Sequence, residues 1–156
     1  MRKAFSMVEM VFVIVVIGIL AGIAVPKMSA TRDDATLVKA RTTVASIRSA
    51  ISTEVQKRQM AGDYTLISNL GGEINGRDKA IFDFFDGDRQ NGRVLEYPPH
   101  SCKTASSRGC WMRTGEKTYR YNFPASIGGS VDFQVNNNRF ECVSSSSEEL
   151  CAELDR

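Results

Sequence analysis

The sequence predicts an α+β fold: one long N-terminal α-helix laid against a small antiparallel β-sheet head. Three observations carry this. The chain opens on an apolar run and continues in a helix-periodic stripe until a glycine at position 62. Its last third alternates apolar and polar residues between glycine and asparagine turns. Four cysteines, Cys102, Cys110, Cys142 and Cys151, all lie well beyond the apolar run.

The apolar run comes first. Residues 5–25 number 21, and Ser6 and Glu9 are the only clearly polar ones. As a helix this stretch reaches roughly 30 Å, the thickness of a bilayer's hydrocarbon core. A cleaved secretory signal has an apolar core about half as long, with a small-x-small cut site leading into a loop. Here AGIA at 21–24 leads into further helical pattern. The run therefore reads as a membrane span. Arg2 and Lys3 ahead of it hold the N-terminus in the cytoplasm by the positive-inside rule, which puts Lys27 onward outside. A lone carboxylate inside a bilayer costs roughly 2.5–3.5 kcal/mol, so Glu9 must be neutral, reach the near headgroups, or be paired. If residues 1–4 are clipped off, Phe5 gains a free α-amine, a cation at the depth of a neighbour's Glu9.

The stretch KAFSMVEMVFVIVVIGILAGIAVPK resembles the N-terminus of type IV pilins and type II secretion pseudopilins, the prepilin-type cleavage and methylation motif. The likeness covers residues 2–27: a short basic leader, Phe5 as first mature residue, Glu9 four places later, Gly18 within the span and Pro26 at its end. The family usually has glycine before the cut, where this chain has Ala4, also small. The resemblance implies a pilin-like fold with a helix kink at Pro26. It implies a prepilin peptidase that cuts between Ala4 and Phe5 and N-methylates Phe5, and a role for Glu9 in assembling subunits into a helical filament. Residues 1–4 would then be a cleaved cytoplasmic leader. Residues 5–26 would be a transmembrane and filament-core helix, and 27–156 a periplasmic head that includes the second half of the long helix. The implied partners are other copies of the chain, related pilin-like subunits and an inner-membrane assembly platform. The implied place is the bacterial inner membrane, crossed once. The expected function is that of a structural subunit whose fibre drives protein transport across the periplasm. The alternative within the family is a pilin or competence pseudopilin serving DNA uptake, adhesion or motility. A membrane-anchored periplasmic enzyme is the less favoured reading.

Charge agrees with a fibre better than with a nucleic-acid binder. The chain has 20 Lys and Arg against 18 acids, and losing Arg2 and Lys3 leaves 18 against 18. Duplex binders need a concentrated basic patch, so no direct nucleic-acid binding is expected. The charge is nonetheless uneven. Residues 27–58 hold seven bases and three acids, and residues 141–156 hold five acids and one base. These opposite blocks either attract across neighbouring subunits or lie on solvated faces screened within about 10 Å.

Beyond Pro26, which can kink a helix without ending it, Thr31 or Asp33 can support a local N-cap. Leu37, Val44, Ile47, Ile51 and Val55 follow at spacings of 7, 3, 4 and 4, one apolar stripe with Lys39, Arg41, Arg48 and Lys57 mostly off it. A nearly continuous helix over 5–58 follows, roughly 80 Å long, ended by Gly62 and Asp63. The stripe is too short to favour a coiled-coil dimer. Residues 63–100 mix signals, with Ile81, Phe82, Phe84 and Phe85 between glycine turns, and predict two short helices or turns on the long helix. Within them DFFDGDRQNG is oxygen-rich, and major pseudopilins have a calcium site in a head loop. The spacing misses the EF-hand, with the glycine one place late from Asp86 and Glu96 one place early. Asp83, Asp86, Asp88 and Asn91 are the candidate irregular calcium ligands, with a solvated acidic turn as the plainer reading. Calcium apart, no cofactor is expected.

CWMRTGEKTYRYNF fits a hairpin turning at Gly115 and Glu116, which pairs Met112 with Tyr119 and Cys110 with Tyr121. SVDFQVNNNRFECV fits a second hairpin. If it turns at Asn136 and Asn137, Phe133 faces Phe140 and Val131 faces Cys142. The tail SSSSEELCAEL predicts a short capped helix with acids in its first turn. The cysteine gaps are too wide for zinc knuckles. An even number outside the membrane predicts disulfides with three possible connectivities, of which the neighbour pairs Cys102 with Cys110 and Cys142 with Cys151 are favoured. The second pair is similar to the C-terminal disulfide loop of pilins. Catalysis has little support: His100 is the only histidine, and no GxSxG, HExxH or phosphate loop is present. No enzymatic activity is expected.

Overall fold

The computed structural model describes residues 6–143 and 147–155, with side chains for all of these except 23–31. It is α+β. Helix α1 spans Met7–Met60, four strands follow as β1 Cys110–Arg113, β2 Thr118–Asn122, β3 Ser130–Asn136 and β4 Arg139–Cys142, and α2 covers Glu148–Asp155. The strands form one antiparallel sheet in the order β1-β2-β3-β4.

α1 starts where Ser6 leaves extended backbone and its carbonyl accepts from the N–H groups of Glu9 and Met10. It continues through Pro26 and through Asp33 as one helix, with no fresh start at either. Its end is a Schellman turn. Gly62, at φ +76°, donates to the Gln59 carbonyl, and the Asp63 N–H reaches back to Arg58 at 2.9 Å. Leu37, Val44, Ile47 and Ile51 are buried, joined by Ala40 and Glu54 on the same face, while Val55 is half-buried. Among the described residues no helix is long and apolar enough to cross a membrane.

Between α1 and the sheet the chain forms no α-helix. Two single 3₁₀ turns, Phe85–Gly87 and Arg89–Asn91, and two isolated bridges replace the expected short helices. Ile81, Phe82 and Phe85 are buried as core, but Phe84 is only half-buried, flanked by the guanidinium groups of Arg89 and Arg93, each 5.6 Å from its ring. Phe82 takes φ +61°, a costly backbone for a bulky residue, and seats its ring against Trp111 and Tyr119 in return. At Gly71 a Cβ would lie 1.9 Å from the Asp83 carboxylate, so that position admits only glycine.

Both hairpins exist, each in a different register from the one expected. In the first, Trp111 pairs with Tyr121 and Met112 with Arg120, one residue away from the expected pairing of Met112 with Tyr119 and Cys110 with Tyr121. A one-residue slip exchanges the faces of a strand, and the observed choice buries Trp111, Tyr119 and Tyr121 together. Arg113 stabilises the longer loop that this needs, donating to the carbonyls of Gly115 and Glu116 at 3.1 and 2.7 Å. In the second, Phe133 pairs with Cys142 and Val135 with Phe140. The turn falls on Asn137 and Asn138, both with positive φ, one residue later than Asn136 and Asn137. This shift moves the pairs by two and keeps the face, so Val131, Phe133, Val135 and Phe140 are all buried. The apolar face covers the α1 stripe as expected.

Two disulfides close the head: Cys102 with Cys110, and Cys142 with Cys151. Loops this short stabilise by roughly 2–3 kcal/mol each. The second ties α2 to β4, and α2 lies along α1. There Arg41 pairs with Glu153, and Arg48 with Asp155 at 2.6 Å. The basic and acidic blocks thus meet within the chain at these two pairs.

Candidate functional site

The first three turns of α1 and beyond form a bare apolar rod. Twelve large apolar side chains between Met7 and Leu20 are exposed, from Met7 at 87% to Val16 at 36%. They point in every direction around the helix, and no other described element of the chain covers them. Such a surface does not remain in water; it is buried by lipid or by other protein. Glu9 is exposed within it and sits in the first helical turn, where the helix dipole favours negative charge. Gly18 has nothing within 4 Å of where a Cβ would stand, so nothing within the chain requires a glycine there. Ala4 and Phe5, the expected processing site, lie outside the described residues, as do residues 144–146. The side chain of Pro26 does as well.

The expected calcium ligands do not converge. Asp83 accepts from the N–H groups of Gly72 and Phe84 at 2.9 and 3.0 Å, and Asp88 caps the Gln90 N–H at 2.9 Å. Asp86 accepts from Ser68 N–H and hydroxyl at 2.6 and 2.8 Å through one oxygen. Its other oxygen takes Arg58 at 2.6 Å and the Asn91 amide at 3.3 Å. Only Asp86 and Asn91 are brought together, and a cation there would have to displace an arginine. All four side chains already engage groups of the chain, and among the described residues no group of three or more His, Cys, Asp or Glu is placed to hold a metal.

These carboxylates instead dock the loop onto the helix. Glu54, 7% exposed, accepts from Arg58 and Lys57 at 3.0 Å each, and Arg58 passes on to Asp86. Burial pushes the Asp86 carboxyl up, but the Arg58 guanidinium and the Ser68 donors outweigh it and hold it below its ordinary value. Burial opposes the Arg58 charge too, and its two carboxylate partners reverse that and raise its pKa. Tyr119 makes a second tie. Its hydroxyl accepts from the Leu70 N–H at 2.8 Å and donates to Gly71 at 3.0 Å, and burial pushes the phenol up to about 12. Sequence reasoning missed Glu54, Arg58 and Tyr119 as structural hubs. The one available signal was Glu54, a charged residue that falls in phase with the apolar stripe.

His100 stands on the surface 3.3 Å from Asp78, with no nucleophile placed beside it in the hydrogen bonds of the described residues. Comparison with family models, with curated proteins and with solved structures finds no match for this chain.

Proposed function

We propose that the chain is a structural subunit of a type II secretion or type IV pilus-like filament. It is held in the bacterial inner membrane by residues 5–26 and exposes its stapled head to the periplasm until it is assembled. The observation that carries this reading is the rod, apolar on every side and bearing one carboxylate, on a head that is closed by its own disulfides. A lipid bilayer or a bundle of like helices answers that surface, and the same helix can pass from one to the other without changing its chemistry. The prepilin-type motif at 2–27 supplies the route: cleavage after Ala4 frees the Phe5 amine, which meets Glu9 of an adjacent subunit. A carboxylate left unpaired at that depth costs roughly 2.5–3.5 kcal/mol, so the contact also selects axial register, because a subunit one step out leaves both charges unpaired. The fibre then acts mechanically, moving protein cargo across the periplasm.

The test is Glu9→Leu in cells expressing the chain beside its wild-type copy. The variant is expected to insert in the membrane and to be cut after Ala4, with mass spectrometry giving N-methylated Phe5 at the new terminus. It should enter fibres poorly, with Glu9→Asp intermediate. Wild-type incorporation of Glu9→Leu overturns the pairing, and an intact Met1 start in most molecules overturns the processing.

A further inference from the structure

The chain contains two Asn-Gly steps, Asn75-Gly76 and Asn91-Gly92. This dipeptide is prone to lose its side-chain amide, because glycine has no Cβ to hinder attack of its nitrogen on the asparagine side-chain carbonyl. As sequence the two steps are equivalent. The fold separates them.

At Asn75 the attacking nitrogen is already spent. The Gly76 N–H donates to the Glu73 carbonyl at 3.0 Å, Gly76 is buried, and the Asn75 N–H donates to the Arg113 carbonyl at 2.8 Å. The side chain packed on Gly76 is that of Glu73, whose negative charge opposes loss of an amide proton.

At Asn91 the Gly92 N–H makes no hydrogen bond among the described residues. Asn91 is held by one backbone bond, from its N–H to the Asp88 carbonyl at 3.1 Å, and by its amide's contact with Asp86 at 3.3 Å. It is half-buried on the wall of a cavity of about 470 Å³ at the end of α1, shared with Lys57, Arg58 and Asp86. A Cβ at Gly92 would stand 3.7 Å from the Lys57 Nζ and 3.9 Å from the Glu54 Oε2. The Lys57 ammonium therefore lies within roughly 6 Å of the Gly92 nitrogen, which is two bonds from that Cβ. A cation at this range favours loss of the amide proton and steadies the oxyanion that attack creates at Asn91.

We propose that Asn91 is a site of self-modification, deamidating in the folded chain through a succinimide. The Gly92 nitrogen gives its proton to solvent and bonds to Asn91 Cγ, while the Cγ–Nδ2 bond breaks and the amide leaves as ammonia. Water then opens the ring at either carbonyl and yields aspartate or isoaspartate. The sum is asparagine and water to aspartate and ammonia, with no change of oxidation state. The product replaces a donor to Asp86 by a like charge, at the point where the loop is tied to Arg58. The inference is independent of fibre assembly, so its failure leaves the proposed function standing.

The full chain in detergent micelles, incubated at mildly alkaline pH and mapped by peptide mass spectrometry, supplies its own control in the Asn75 peptide. In the folded chain the Asn91 peptide should convert to aspartate and isoaspartate while the Asn75 peptide persists. In urea, where both turns are open, the two should convert at similar rates. Lys57→Ala should slow the folded-state conversion at Asn91 about threefold, which is what an exposed charge is worth, and leave Asn75 unaffected. Three results overturn the proposal: Asn75 converting as fast as Asn91 in the folded chain, Asn91 persisting there while it converts in urea, or a wild-type rate in Lys57→Ala.

Discussion

Tyr119 joins two parts of the chain that share no regular structure. It is fully buried, and its hydroxyl serves a donor and an acceptor of the loop at Leu70 and Gly71. Tyr119→Phe keeps the ring and strands both backbone groups, so it should destabilise by about 1–3 kcal/mol in urea unfolding. The buried phenol titrates at about 12, above its ordinary value near 10. A raised folded pKa gives stability that is complete below the unfolded value and is lost as pH rises through the folded one. The wild-type chain should therefore weaken between about pH 10 and 12 more than Tyr119→Phe does. Asp86 has the opposite sign. Its carboxyl is held low, so its contribution is present above the ordinary carboxylate range and disappears as pH falls through it. Asp86→Asn should cost about 1.5 kcal/mol near neutral pH and flatten the acid limb of the stability curve, since Arg58 then loses a charged partner. An acid limb identical to wild type would remove Asp86 from this role.

At the scale of elements, α1 does two jobs with two different surfaces. From Leu37 on it presents one buried stripe, and before residue 22 it presents apolar side chains on all sides. Gly18 tests the division. The helix itself gains from its replacement, since glycine is worse than other residues in a helix interior by up to about 1 kcal/mol. Nothing in the chain approaches the position. Close packing of helices is what small residues permit, and a leucine there holds backbones apart. Gly18→Leu should leave the thermal midpoint of the head unchanged and reduce incorporation into fibres. Full incorporation would mean that no neighbouring helix passes close to Gly18. The hairpins teach a related lesson about legibility. Period-two alternation in 110–122 and 130–142 was readable, because a half-buried strand must alternate. The register was not, because it depends on loop closure by Arg113, whose guanidinium also reaches Gly72 at 2.7 Å, 41 residues away. The Asn137 turn was readable in kind and missed by one position, since three consecutive asparagines offer the same left-handed tolerance.

For the whole molecule, the helix, the sheet, the disulfide pairs and the lone carboxylate were legible because each leaves a local mark: periodicity, alternation, an even cysteine count, a charge in an apolar run. Residues 61–109 left little beyond Cys102 and an apolar cluster at 81–85 between glycines. They are held by single bonds to distant partners, Asp86 to Arg58 and Tyr119 to Leu70, and by backbone turned to positive φ at Asn75, Asp78 and Phe82. The same partition predicts how the molecule comes apart. The described core begins at Leu37 and draws on α1, the loop, the sheet and Leu154, and none of its members precedes Leu37. Both disulfides and both ion pairs to α2 also lie beyond that point. A chain starting at Arg32 should therefore fold with one cooperative transition. Its thermal midpoint should fall within about 3 °C of the full chain's, because what it loses is exposed helix rather than packed core. It should also stay monomeric without detergent, since the exposed apolar side chains from Met7 to Leu20 are gone. Differential scanning calorimetry and sedimentation check the two halves separately. A broad or absent transition would mean that the first half of α1 supports the head, and self-association of the shortened chain would mean that the head carries a contact surface of its own.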